Sequence, residues 1–370
     1  MISFDELFSD VTRKGKKIPT KEYLSTGRFP IVDQGKKVIA GYSNDAEGLY
    51  TDVPAIVFGD HTRIVKYIDQ PFFLGADGAK IITCNDEQAN VKYWYYALKA
   101  ARIPDTGYNR HFKWLKELYF HRRTVQEQER IVNIFSGIDL AVDNLELQLF
   151  TLDKLVKSRF IEMFGDPVTN PMGWDTGTLA DVIRTKASNG FFAKRNAYKP
   201  DGNVAVLGVV DVVNRMYSKT TDLPRTDATK TDIEKYRVDY GDILFCRSSL
   251  VKAGIGKASI VPKGVSEDIL FECHVIRLQL DMNKCIPEFI QLLTATEYCR
   301  NQIMAVSKTA TMTTIGQDGI LATKIYIPPL DLQNEFLTFV QLTDKSKSVA
   351  QALLAKFELL REKLMHDYFG

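Results

Sequence analysis

Three polar, glycine-marked loops in the first third of the chain bring cations, amides and rings together: Gly59-Asp60-His61-Thr62-Arg63, Gly75-Ala76-Asp77-Gly78-Ala79-Lys80 and Gly107-Tyr108-Asn109-Arg110-His111-Phe112-Lys113. Arginine and lysine can pair with phosphates or guanine edges, asparagine can read adenine, and glycine lets backbone approach a groove closely. Asp60, His61, Thr62, Arg63, Asp77, Lys80, Tyr108, Asn109, Arg110, His111 and Lys113 are therefore candidate DNA contacts. A second set follows later in the chain: Asn189, Lys194 and Arg195 in one loop, Arg247-Ser248-Ser249 after an apolar strand, Lys252, and the hydroxyl-rich run Lys308 to Thr314 with Lys308, Thr309, Thr311 and Thr314. Each loop alone reads equally well as a solvated turn, but three in one stretch favour a polyanion. Phe191 and Phe192, inside the Asn189 loop, read as core rather than as stacking residues.

The same residues offer little for catalysis. A metal-dependent nuclease needs clustered carboxylates and a lysine, and only Asp60, Asp77 and Lys80 suggest one. Asp77-Gly78-Ala79-Lys80 reads more simply as a turn entering a strand over Lys80 to Thr83. A methyltransferase would need a glycine-rich cofactor loop, and an adenine-directed one an Asn-Pro-Pro-aromatic loop; Asn170-Pro171-Met172-Gly173 shares only the first two residues of the latter. No G-x-x-x-x-G-K-[ST] loop is present, which argues against an ATP-driven motor. Cys84, Cys246, Cys273, Cys285 and Cys299 form no CxxC pair and accompany no histidine cluster, so disulfides and metal sites are not expected. With 48 basic against 46 acidic residues, polyanion contact must come from local patches rather than from net charge. No apolar run approaches the roughly 18 residues of a membrane helix, and the Met1 segment lacks signal-peptide features. A soluble cytoplasmic protein without membrane contact is the expectation.

The elements that must position these loops are organised by an internal repeat. A shift of 205 residues carries Gln128 onto Gln333, Asp139 onto Asp344, Leu149 onto Leu354, Leu155 onto Leu360 and Phe164-Gly165 onto Phe369-Gly370 without a gap. In the first copy Ile131, Phe135, Ile138, Val142, Leu145, Leu149, Leu152 and Val156 step by four and three, the seam of a paired helix; Arg159 breaks it and Met163 resumes it. The second copy carries Phe336, Val340, Ala350, Leu354, Phe357 and Leu364, interrupted by Thr343, Lys347 and Arg361, with Leu342, Val349, Leu353 and Leu360 expected to widen the apolar face. Roughly 40 helical residues make a rod of about 60 Å, too long to hide in a small domain, so the two helices are expected to pack on each other. Before each helix lie short β-like runs, Ile56 to Phe58, Ile64-Val65 and Ile81-Ile82 in the first unit, and Val204 to Val210, Ile243 to Phe245, Ala258 to Val261 and Val275-Ile276 in the second. Helical stretches at Val91 to Ala101 and Pro287 to Met304 follow them. Near the unit starts, Phe8-Ser9-Asp10-Val11 and Leu179-Ala180-Asp181-Val182 match at a shift of 171, which makes the second globular part 34 residues longer, 205 less 171. The breaker-rich turn from Gly165 to Trp174 divides the two units, 1–165 and 166–370.

Over essentially its whole length the chain resembles the specificity subunits of type I restriction-modification systems. The motifs that carry this are Phe29-Pro30-Ile31-Val32-Asp33-Gln34-Gly35, Ile39-Ala40-Gly41-Tyr42, Phe58 to Arg63, Gly75 to Gly78, Arg110 to Glu117, and the helix entry Ile325-Tyr326-Ile327-Pro328-Pro329-Leu330-Asp331-Leu332-Gln333. Arg122-Arg123-Thr124-Val125 departs from that proline-rich entry, which leaves the first helix start open. The resemblance implies a mixed α/β fold: two α/β target recognition domains, 1–122 and 174–327, separated by two long antiparallel coiled-coil helices, 123–165 and 328–370, with a linker at 166–173 and a pseudo-twofold internal repeat. It also implies that each domain reads half of a bipartite, asymmetric double-stranded DNA target, while the helices set the gap and dock two modification subunits. Two ATP-dependent restriction subunits would complete the enzyme; S-adenosylmethionine, ATP and Mg would belong to the partners, with no cofactor and no catalysis in this chain. The rival readings are a coiled-coil protein-interaction adaptor and a stand-alone metal-dependent nuclease.

Overall fold

A computed structural model describes Met1 to Gly370 except Ala76, Asp77, Glu87, Tyr108 and Ser266. The fold is mixed α/β and divides into two compact units, Met1–Leu147 with Ala350–Gly370, and Gln148–Val349.

In the first unit the strand Ala55–Gly59 is buried on both faces, as its unbroken apolar run requires, and lies inside an antiparallel sheet ordered Phe8–Asp10, Ala79–Cys84, Ala55–Gly59, Val65–Ile68. The register sets Ile56 opposite Ile82 and Phe58 opposite Lys80. A three-stranded sheet, Gly41–Ser43, Phe29–Val32 and Phe73–Leu74, pairs its last two strands in parallel. The helix Val91–Ala100 starts at Asn90, whose side chain accepts the backbone N–H groups of Lys92 and Tyr93. It buries Tyr93, Trp94, Tyr96, Ala97 and Leu98. Ile131, Val132 and Phe135 from the first long helix close the same core, with the Tyr96 and Phe135 rings stacked at 4.9 Å. Burying a ring the size of Phe135 contributes about 1.5–3 kcal/mol.

The second unit repeats this plan. Its four-stranded sheet runs Ser188–Asn189, Val275–Leu278, Ile243–Cys246, Ala258–Ile260. Its three-stranded sheet, Arg225–Thr226, Val204–Leu207 and Ile269–Phe271, again has one antiparallel and one parallel pair. A further small sheet, Ser248–Ser249, Thr313–Thr314 and Lys308–Thr309, has no counterpart among the described residues of the first unit. The equivalence at the unit starts differs from the sequence expectation. Ile2–Ser3 pairs with Tyr119–Phe120, and Gly177-Thr178 pairs with Lys324-Ile325, so Ser3 corresponds to Thr178. Both residues also cap the turn that follows, Ser3 with Glu6 and Thr178 with Asp181. The true shift is 175 (178 less 3), and the second globular part is 30 residues longer (205 less 175). The match at 171 aligned similar residue types in different structural positions.

The long helices are Val125–Phe164 and Leu330–Phe369, each of 40 residues, and the 205-residue shift carries one onto the other end to end. Thr124 replaces the proline-rich entry of the second copy: its N–H and hydroxyl donate to the Glu127 carboxylate at 2.8 and 2.9 Å, and the Glu127 N–H donates back to the hydroxyl. A buried glutamine then ties each helix to its domain. The Gln128 side chain accepts the Asn90 N–H and donates to the Arg123 carbonyl; Gln333 accepts the Ile286 N–H and donates to the Pro328 carbonyl.

The helices pack together and run antiparallel within each unit. In the first unit Phe135 meets Phe369 and Asp139 meets Arg361; in the second Asp153 meets Lys347 and Arg159 meets Glu335. Of the residues expected along the seam, Ile131, Phe135, Ile138, Val142, Val156, Phe336, Val340 and Ala350 are buried, and Leu145, Leu149, Leu152, Leu354, Phe357 and Leu364 half-buried. The residues expected to widen it do not. Leu342, Val349, Leu353 and Leu360 are 63, 57, 41 and 43% exposed, because the polar interruptions Thr343, Lys347 and Arg361 turn inward instead. Where Arg159 breaks the first stripe, its neighbour Phe160 takes over, packing on Phe289 and Phe336 at 5.6 and 5.7 Å.

Two smaller expectations change. The stretch Pro287 to Met304 is two helices, Pro287–Ala295 and Glu297–Val306, because Thr296 is extended and caps the second through its hydroxyl. Phe192 is 69% exposed rather than core, whereas Phe191 packs on Tyr236 at 5.8 Å. No helix among the described residues is long and apolar enough to cross a membrane.

Candidate nucleic-acid interface

In the first unit the hairpin between Ala55–Gly59 and Val65–Ile68 is closed by the Gly59 N–H on the Ile64 carbonyl and the Arg63 N–H on the Gly59 carbonyl. Arg63 adopts φ 61°, a left-handed conformation that costs a non-glycine residue on the order of 1 kcal/mol or more. Its guanidinium is anchored on Asp105 at 2.7 Å. The Gly107 N–H, and then Arg63, hold the Asp105 carboxyl below its ordinary range.

Asp60 ties the three sequence-marked loops into one cluster. Its N–H donates to the Gly78 carbonyl at 2.6 Å, its carbonyl accepts the His111 N–H at 2.8 Å and lies 3.0 Å from His111 Nδ1, and its carboxylate accepts the Phe112 N–H at 2.7 Å. Gln34 adds a fourth segment: its side chain accepts the His61 N–H, and its carbonyl accepts the Thr62 hydroxyl at 2.6 Å. His61 Nδ1 lies 3.2 Å from the Asn109 carbonyl. Gly78, at φ 98°, packs so closely on the Gln34 side chain that a Cβ would sit 2.6 Å from its amide nitrogen.

The candidates thus fall into three groups. Asp60 and His111 are 4 and 1% exposed and shape the cluster from inside. Arg63 and Lys80 reach the surface but face carboxylates, Asp105 at 2.7 Å and Asp10 at 3.0 Å. Thr62, Asn109, Arg110 and Lys113 are exposed, and neither Arg110 nor Lys113 has an ion pair among the described residues. Asp77 and Tyr108 lie outside the described residues. Of the nuclease trio, the Asp60 carboxylate accepts the Phe112 N–H and Lys80 pairs with Asp10, and no metal-ligand cluster occurs among the described residues.

In the second unit the candidates also converge. Ser248 and Ser249 pair with Thr314 and Thr313, which pair in turn with Lys308 and Thr309, so two distant sequence segments share one sheet. Arg247 leads into it, donating its N–H to the His274 carbonyl and its guanidinium to the Cys273 carbonyl at 3.1 Å. The Asn189 loop leans on the adjoining strand end, with the Phe191 N–H on the Phe271 carbonyl. Gly190 is required there, since a Cβ would lie 2.2 Å from that oxygen. Lys194, Arg195, Lys252, Lys308, Thr309 and Thr311 are exposed; Asn189, Arg247, Ser249 and Thr314 are half-buried, and Ser248 is buried. Sequence reasoning missed Gln34 as an anchor, the Cys273-His274 turn, and Arg300, which donates to the Ala253 carbonyl and supports the turn carrying Lys252. Lys66 was missed too: it is buried and donates to the Asp33 and Lys37 carbonyls at 2.6 Å. None had a local signal, because each partner is far along the chain.

The arrangement is that of a recognition protein: two loop-bearing α/β domains whose exposed cations and hydroxyls stand on rigid sheets. Residues 171–357, half of the chain, match the type I restriction modification DNA specificity domain, and the chain belongs to that family. An 84-residue segment is 34% identical to the specificity subunit of the Escherichia coli type I restriction enzyme EcoR124I/EcoR124II, covering 22% of this chain and 21% of that protein. Another, of 166 residues, is 24% identical to the Escherichia coli EcoKI specificity subunit and covers 44% of this chain and 34% of that one. The matched segments therefore span well under two thirds of these relatives. In fold, the whole chain superposes on 95% of the type I restriction-modification S subunit from M. genitalium, with a TM-score of 0.62 at 17% identity.

Proposed function

We propose that this chain is the non-catalytic DNA-reading subunit of a type I restriction-modification enzyme, acting in the cytoplasm on double-stranded DNA. The domain at 1–122 reads one half of a bipartite, asymmetric target and the domain at 174–327 the other. The helices at 123–165 and 328–370 set the gap and dock two modification subunits; 166–173 links the halves. Two restriction subunits join the complex, and S-adenosylmethionine, ATP and Mg serve the partners. Arg110, Lys113, Thr62 and Asn109 in one domain, and Lys194, Arg195, Arg247, Lys252, Lys308 and Thr311 in the other, make the contacts, with Asp60 and His111 as positioning residues.

The observation that carries this reading is the duplication of one plan, a four-stranded and a three-stranded sheet followed by a 40-residue helix, with different exposed loops on each copy. Shared scaffold with divergent loops is what two independent readers need. The test is an exchange of residues 174–327 for those of another family member, followed by methylation mapping of the assembled enzyme. One half of the target should change. If both halves changed, the domains would not read independently.

A further inference from the structure

In the first unit a lysine is buried at a sheet position that needs no charge. Lys66 stands on the strand Val65–Ile68 opposite Val57, and its side chain is 3% exposed. Its ammonium donates to the Asp33 and Lys37 carbonyls at 2.6 Å each, and the Asp33 carboxylate lies 3.6 Å away. An ammonium has three donors, so all of them serve one loop, residues 33–37. That loop is fixed at a second point, where Gln34 accepts the His61 N–H through its side chain and the Thr62 hydroxyl through its carbonyl. Lys36 and Lys37, beside these anchors, are exposed, and neither has an ion pair among the described residues. Lys36 is at most about 7 Å of chain from Gln34, and Lys37 at most about 11 Å.

The second unit builds the same sheet position without a cation. Val57 and Leu244 each face the three-stranded sheet of their unit, and Ser259 pairs with Leu244 as Lys66 pairs with Val57. Ser259 is fully buried and bonds the Ser218 hydroxyl at 2.6 Å. Where residues 33–37 follow the strand Phe29–Val32, the short helix Val209–Val212 follows Val204–Leu207. The lysine and its loop thus occur together in one copy and are replaced together in the other. A buried charge costs several kcal/mol, and apolar residues of similar size often replace such ions without loss of stability. The sheet therefore does not account for Lys66, whereas the loop it shapes does. We propose that residues 33–37 form a further DNA-contacting loop, in which Lys36 and Lys37 pair with backbone phosphates and Lys66 is the positioning residue that fixes their backbone. This rests on the DNA-reading function proposed above. Lysine meets a phosphate as a compact point charge. Such contacts carry no sequence information, so the loop adds affinity and orientation and leaves the choice of bases to its neighbours.

The probe is a fluorescein-labelled DNA duplex of mixed sequence, titrated with the full chain at several salt concentrations and followed by anisotropy, since phosphate contacts act without regard to sequence. Lys36→Ala and Lys37→Ala should each lower the slope of log affinity against log salt by about one, and the double variant by about two. Lys66→Met keeps a long side chain without donors and should reproduce most of the double variant's loss of affinity. Added to the double variant it should cost less than about twofold more, because the lysines it positions are gone. A side chain with only a general structural role would cost the same in both backgrounds. If the parent chain binds with a salt slope that the double variant keeps, this proposal alone is overturned. Parent affinity in the Lys66→Met chain, or an equal cost of Lys66→Met in both backgrounds, overturns it too. A parent chain with no salt-dependent binding overturns the DNA-reading function as well. Lys36→Ala and Lys37→Ala replace exposed side chains, so the slope decides the matter even if the Lys66→Met chain folds poorly.

Discussion

Replacing Asp60 with alanine separates positioning from contact. The side chain is 4% exposed and its carboxylate accepts the Phe112 N–H at 2.7 Å, at the start of the helix Phe112–Lys116 that carries Lys113. Truncation leaves that buried N–H without an acceptor, and a hydrogen bond to a charged group contributes about 1.5–3 kcal/mol. For a unit of this size that lowers Tm by roughly 3–12 °C. DNA affinity should fall as well, because the loop bearing Arg110 and Lys113 loses its anchor. A carboxylate acting on DNA through its charge would do the reverse, since its removal would relieve repulsion and raise affinity. The salt dependence of binding should stay at the parent slope, whereas Arg110→Ala or Lys113→Ala should reduce it by about one if either meets a phosphate. Asp60→Asn keeps the acceptor oxygen and should recover most of both losses. Calorimetry and DNA titrations at several salt concentrations measure all of this. A variant as stable as the parent within about 0.5 kcal/mol, or one that binds DNA more tightly, refutes the reasoning.

Three further outcomes follow. Gln333→Leu orphans the buried Ile286 N–H and should destabilise the second unit by about 1–3 kcal/mol, more than Gln128→Leu costs the first, where the matching bond to the Asn90 N–H is longer, 3.3 against 2.9 Å; equal losses in urea unfolding would contradict this. Burial holds the Glu288 carboxyl above its ordinary range despite the Tyr217 hydroxyl at 3.1 Å. The folded state therefore binds that proton more tightly, and the associated stability is fully present below about pH 4 and lost as pH rises through the folded value. Glu288→Gln should accordingly gain on the parent as pH rises from about 4 through the raised folded value, and a variant that lost ground over that rise would reverse the sign argument. Four residues inserted after both Gln148 and Leu353 lengthen the paired helices by about 6 Å, so methylation mapping should find the same half-sites with a gap longer by one or two base pairs; an unchanged gap at full activity would mean that the helices do not set it.

The long helices were legible because apolar residues at steps of three and four can satisfy only a helical seam, and because the repeat put both copies in one register; the expected bounds, 123–165 and 328–370, run one or two residues past the helices Val125–Phe164 and Leu330–Phe369 at each end. Periodicity could not say which of two adjacent apolar stripes packs: Leu342, Val349, Leu353 and Leu360 fit the pattern and are exposed. In the loops, glycine spacing marked segments that the fold brings together around Asp60, yet residue type could not separate Asp60 and His111, turned inward, from Asn109 and Arg110, turned outward. That distinction rests on hydrogen bonds between residues about fifty positions apart, which no local pattern encodes. The two glutamines were visible only as a coincidence of register. Their role appeared once the domain helix starting after Asn90 or Ile286 was seen to need an acceptor there.

The seam charges favour pairing of the first helix with the second, and the repeat shows how. Most apolar positions are shared between the copies, and the first helix has the stripe unbroken from Ile131 to Val156, so on hydrophobic grounds a first helix could pair with a first helix from another chain in the observed register. Subtracting 205 from each partner gives what that pairing would juxtapose. Asp139 would meet Val156 in place of Arg361, Asp153 would meet Val142 in place of Lys347, and Arg159 would meet Arg130 in place of Glu335. Two ion pairs are lost and the third becomes a like-charge contact. Each is worth only about 0.2–1 kcal/mol at this exposure, but all three act in the same direction. Pairing two second helices is less penalised, since Arg361 would face Asp344 and Lys347 would face Glu358. Selection therefore rests on the first helix: any pairing of second with second leaves first helices with no compatible partner, and only first with second satisfies both.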